Sequence, residues 1–219
     1  MGIYEGKDFI VEYDEKNEAK AQKLVTILEE EMQRILDFFE LDSLSQKKRI
    51  KLYSTLLDYQ IYLKSMNIKY LDWMIADTNN GGINILTLEE CRRTKSHQYM
   101  TMKEYKNVVV HEFVHACQQE LNPDASGCEW FWEALALNLA GPFMNPVKVD
   151  CTKEQLIQDY MHLSDGYPIS LTIGRYLLKY YEHERILDYV KNPQHLSADL
   201  ELILQEVKLW QLGSERMPR

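Results

Sequence analysis

Apolar residues at positions 21, 24, 25, 28, 32, 35, 36 and 39 recur at the helical repeat, so a helix running from Ala21 with one buried face is predicted. Ahead of it DFIVEY, at 8–13, reads as a strand, and KRIKLYST, at 48–55, alternates like a second. Beyond a short segment around LDYQIYLKSM, the runs DWMIADT and INILTL flank NNGG at 79–82, a composition suited to a tight hairpin with positive φ angles. From about residue 105 the pattern is almost wholly helical, broken by Pro, Gly and Asn clusters at 122–127, 141–146 and 164–168. The order predicts an α+β fold: a strand-bearing amino-terminal subdomain over 1–104, with the hairpin near its end, then a helical carboxy-terminal subdomain over 105–219. A cleft between the two is the natural consequence. No internal repeat, low-complexity tract or flexible linker is evident.

Composition changes this picture only by exclusion. With 219 residues, 45% of them hydrophobic, the chain can bury a core without staples. A net charge of −9 and a pI near 5.2 disfavour nucleic acid and anionic membrane surfaces, which reward clustered Lys and Arg. The only basic cluster is QKKR at 46–49. Cys91, Cys117, Cys128 and Cys151 show no CxxC spacing and are expected as reduced thiols. The start MGIYEGKDFIVEYDE lacks the basic and apolar regions of a signal peptide, and no apolar run approaches a membrane span. A soluble, cytoplasmic protein is the expectation.

The chemistry begins at VVVHEFVHACQQE, 108–120, where two histidines and a glutamate interrupt an apolar helix. His111 and His115 stand four residues apart, so a helix projects both imidazoles from one face toward one point. Glu112 can reach a water at the same point without being a ligand. A satisfied polar cluster in a buried helix is the plain alternative.

The next helix bears on that choice. In SGCEWFWEALALNLAGP, 126–142, Ser126 and Glu129 have the spacing of a capping box, which predicts a start near Ser126, with Gly141 and Pro142 as the stop. Glu129 is thereby explained as a cap residue. Glu133 lies a turn deeper among Ala134, Leu135, Ala136, Leu137, Leu139 and Ala140, in a helix apolar on nearly all sides and therefore buried. A buried carboxylate needs a cationic partner or a metal. The two histidines one helix earlier present the matching need.

HEFVH followed by WFWEALA resembles the gluzincin zinc metallopeptidases, whose second motif, W-x-x-E-G/A-x-A, is matched by Trp130, Glu133, Ala134 and Ala136. Ala134 stands where Gly is commoner. HACQQELNPD lacks the Gly and third His of the metzincin motif. The resemblance covers roughly 105–141, extending weakly through the preceding hairpin and the later GYPISLTIGRYLLKYY helix. It implies a zincin-like fold forming one catalytic domain, one zinc ion held by His111, His115 and Glu133 in the cleft, and a peptide or protein substrate. Glu112 is then the general base and acid on a zinc-bound water. Gluzincins also set a Tyr or His opposite the metal as an oxyanion donor. Tyr167, just ahead of Pro168 at a predicted helix mouth, is the first choice, with His162 and His183 as rivals. GGIN, at 81–84, lacks the Glu of the aminopeptidase edge motif, which points to endopeptidase or oligopeptidase action. The other readings are a zinc-binding, non-catalytic peptide- or partner-binding module and a metal-free structural core.

Overall fold

A computed structural model of the chain describes residues 1–79, 82–141 and 144–213. The fold is α+β, and the chain gathers into two compact units, Met1–Cys117 and Gln118–Arg219. Helix α4 (Met102–Leu121) runs through the point of division.

The first unit is built on a mixed sheet of β1 (Gly2–Glu5), β2 (Phe9–Tyr13), β3 (Lys48–Tyr53), β4 (Ala76–Asn79) and β5 (Gly82–Leu86) in the order β1-β2-β3-β5-β4. The inner pairs β2/β3 and β3/β5 are parallel, and the outer pairs β1/β2 and β4/β5 are antiparallel. Parallel neighbours require a long crossover. Helix α1 (Glu18–Phe38) joins β2 to β3, while α2 (Leu56–Ser65) and β4 intervene between β3 and β5. On α1 the predicted stripe is the buried one, with Ala21, Leu24, Val25, Leu28, Met32, Ile35, Leu36 and the following Phe39 all inside. Residues Ile83 to Leu86 of β5 are buried in succession, as befits a strand covered on both faces. A short helix, α3 (Leu88–Cys91), follows it.

Three features of this unit depart from the periodicity. Strand β1 was not predicted; it has four residues, and its Ile3 is 64% exposed, so it carries no alternation to detect. The unassigned segment after β3 is α2, capped by the Thr55 hydroxyl, which accepts from the Asp58 N–H at 3.1 Å. Its Leu57 and Ile61 are exposed while Tyr59 and Leu63 are buried, so its apolar residues do not mark one face. The run DWMIADT yields a strand only from Ala76, because a turn closes first, with the Met74 N–H on the Leu71 carbonyl at 2.8 Å. Asn79 pairs with Gly82 in the antiparallel register. The Asn80-Gly81 centre of the predicted turn lies outside the described residues.

The second unit is helical: α5 (Glu129–Ala140), α6 (Lys153–Gln158), α7 (Gly166–Tyr180), α8 (His183–Lys191) and α9 (Pro193–Gln211). The predicted capping box at Ser126 does not form. Helix α5 begins at Glu129 with Cys128 as its cap residue and no side-chain cap bond. Gly127, at φ +77, is in the left-handed region and breaks the helix there, while the Ser126 N–H is turned back onto Asp124 Oδ1 at 2.9 Å. Gly141 ends α5 at φ 92, and Pro142 lies outside the described residues. All four cysteines are buried and none is in a disulfide. No helix among the described residues is long and apolar enough to cross a membrane.

Helices α5 and α7 meet at Gly174, where an added Cβ would stand 2.6 Å from the Ala134 carbonyl oxygen. The Asn138 amide donates to Ala134 O at 2.7 Å and to Leu171 O at 3.1 Å, tying the helices together across that contact. Because a backbone carbonyl cannot swing aside, Gly174→Ala is expected to destabilise the fold by about 1–3 kcal/mol despite its gain of about 1 kcal/mol in helix propensity. Urea unfolding reads this directly, and a stabilised variant would mean that α5 and α7 do not approach so closely.

Candidate metal centre

Valines 108, 109 and 110, with Phe113 and Val114, bury α4, and the polar residues stand within that run. His111 and His115 fall one turn apart, their rings edge to face with centroids 4.6 Å apart and their Nε2 atoms 3.0 Å apart. His111 is buried and His115 half-buried. Two Nε2 lone pairs in this position can bind one cation, since tetrahedral zinc at ~2.0–2.1 Å from each nitrogen separates them by roughly 3.3 Å.

Glu112 is 7% exposed, and an enclosed carboxylate needs a donor. The Thr78 hydroxyl on β4 is that donor, 2.7 Å from Glu112 Oε2 and 3.1 Å from the Glu112 backbone oxygen. Strand alternation turns the neighbours of Thr78, Asp77 and Asn79, to the opposite face of the sheet. There Asp77 Oδ2 accepts from the Tyr59 hydroxyl at 2.8 Å, and Asp77 Oδ1 accepts from the amides of Asn79 at 2.6 Å and Asn84 at 3.2 Å. The Tyr62 hydroxyl accepts from Asn84 at 2.8 Å and lies 2.7 Å from Asn79 Oδ1 and 3.1 Å from Asp77 Oδ1. Burial lifts the Tyr62 phenol to about 12 and that of Tyr59 well above the ordinary range, so both remain protonated donors at neutral pH.

On α5, Glu133 is half-buried as a residue while its Oε2 is enclosed, in keeping with a carboxylate set among apolar neighbours. Its carboxylate belongs with the histidines: one ring nitrogen each from His111 and His115 and one carboxylate oxygen from Glu133 all lie within 4.8 Å of one another. Two imidazoles and a carboxylate suit a divalent cation such as zinc and could hold one.

Tyr167 sits in the first turn of α7, half-buried, with its ring 6.3 Å from that of Tyr160. His162 and His183 are exposed and lie outside the metal-ligating group. Tyr160 is buried, and its phenol is pushed far up by burial first and by the Glu133 charge second. Sequence reasoning singled out neither Tyr160 nor Thr78. In a chain with 14 tyrosines Tyr160 carries no distinguishing spacing, and Thr78 belongs to no motif. No protein-family model matches the chain, and no curated protein matches it either.

Asp77 carries a pH signature. Its carboxyl is raised from 3.8 to about 6, chiefly by burial and further by the Glu112 charge, against the pull of hydrogen bonds from Tyr59, Tyr62 and Asn84. The fold thus holds this proton more tightly than the unfolded chain. The linked stability is complete below about 3.8 and is lost as pH rises through about 6. Relative to Asp77→Asn, the wild type should be more stable at pH 4 than at pH 7.5 by about 2 kcal/mol. Denaturant unfolding of both proteins across that range measures it; a difference independent of pH would show that Asp77 titrates as it does in water.

Proposed function

We propose that the chain is a zinc-dependent peptidase of the gluzincin class with a zincin-like fold. The observation that carries this reading is the convergence of His111, His115 and Glu133, with ligand atoms within 4.8 Å of one another, where Glu112 directly follows His111 in the chain. Zinc held by these three residues would supply the Lewis acidity that makes a water acidic and a carbonyl electrophilic. Glu112 accepts the proton of the attacking water and delivers it to the departing amine nitrogen, acting first as base and then as acid. The Tyr167 hydroxyl donates to the developing oxyanion. Strand β4 ends the sheet order, so an extended peptide can pair along its outer edge beside Glu112. Without the aminopeptidase Glu next to this edge, the reaction is cleavage within a peptide.

Screening a peptide library with wild type and Glu112→Gln tests the proposal. The variant should keep its fold and its zinc while losing cleavage by about 10²–10⁴-fold. Equal cleavage by both would remove Glu112 from the chemistry. Cleavage by neither, with zinc still bound, would favour a non-catalytic peptide-binding module. On a substrate so identified, Tyr167→Phe should lower kcat by about 10²–10³-fold with little change in KM. An unchanged kcat would take Tyr167 out of the mechanism.

A further inference from the structure

We propose that Thr78 is a positioning residue for Glu112: its hydroxyl commits Oε2 of the carboxylate and leaves Oε1 to receive the proton of the attacking water. The inference rests on the reading of Glu112 as the base. Thr78 Oγ1 lies 2.7 Å from Oε2 and 3.1 Å from the Glu112 backbone oxygen, so its single proton goes to the nearer, charged acceptor. Among the described residues Thr78 is the side chain that hydrogen-bonds this carboxylate. Glutamate has three side-chain torsions, and one fixed oxygen removes most of that freedom. Thr78 is itself held: β-branching stiffens its first torsion, and its neighbours Asp77 and Asn79 are hydrogen-bonded to Tyr59, Tyr62 and Asn84. The hydroxyl is therefore presented by a strand segment anchored on both sides of it. Since misplacing a reacting group by 1 Å can lower the rate roughly 10²-fold, a hydroxyl that touches no substrate can still set the rate.

Two measurements decide it. In metal-free protein, a double-mutant cycle of Thr78→Val and Glu112→Ala should show coupling of about fivefold or more in the unfolding constant. In the zinc-loaded enzyme, Thr78→Val should reduce kcat by about 10–100-fold with KM within about threefold, and Thr78→Ser should restore kcat to within a few-fold of wild type. Additive unfolding effects would overturn the contact, and full kcat in Thr78→Val would overturn the positioning role even if the coupling were present. Failure of Ser to restore the rate would assign the loss to packing instead. If zinc-loaded wild type cleaves nothing, Glu112 is not a base and the proposal falls with that reading; additivity removes the proposal alone.

Discussion

A carboxylate 7% exposed between Val110 and Phe113 is the constraint on which the first unit depends. Enclosed without a donor, Glu112 would cost several kcal/mol or take up a proton. The donor comes from β4, and β4 reaches α4 because of the sheet order. Parallel pairing of β2, β3 and β5 sends the chain through long crossovers, and the antiparallel return from β4 to β5 leaves β4 outermost. Thr78 then meets Glu112 while Asp77 and Asn79, one residue away on either side, engage Tyr59 and Tyr62 of α2.

The distribution of donors separates the roles of the two carboxylates. Asp77 collects donors from Tyr59, Asn79 and Asn84, with Tyr62 within reach, so its acceptor capacity is spent inside the fold. Glu112 has one oxygen, Oε2, hydrogen-bonded to Thr78. Their charges still interact, since Glu112 contributes to the upward shift of Asp77. The strand that carries Thr78 is thus tied down by a second acid, Asp77, whose partners all lie within the first unit.

Much of this was legible in the sequence, for physical reasons that differ from element to element. The buried face of α1 follows from an apolar stripe about five turns long, which a helix alone accommodates. The juxtaposition of His111 and His115 on α4 follows from their spacing, because helix geometry alone aligns them. Glu133 was found by its misfit among apolar neighbours, and its Oε2 is indeed enclosed. Strand β1 and helix α2 were missed because Ile3, Leu57 and Ile61 are exposed and blur the period. The start of α5 was misread because a Ser-x-x-Glu spacing carries no information about φ at Gly127. Thr78 could not be found at all: its bond to Glu112 spans 34 residues and depends on a strand order that local pattern does not encode.

The central claim is that two imidazoles and one carboxylate hold a single zinc ion beside Glu112. Elemental analysis combined with zinc X-ray absorption on reconstituted protein tests it most directly. The account predicts about one equivalent of zinc with two imidazole nitrogens and a carboxylate oxygen at about 2.0–2.2 Å, and loss of that zinc in the His111→Ala, His115→Ala double variant. Less than about half an equivalent in the wild type, or the same zinc content in the double variant, would contradict it.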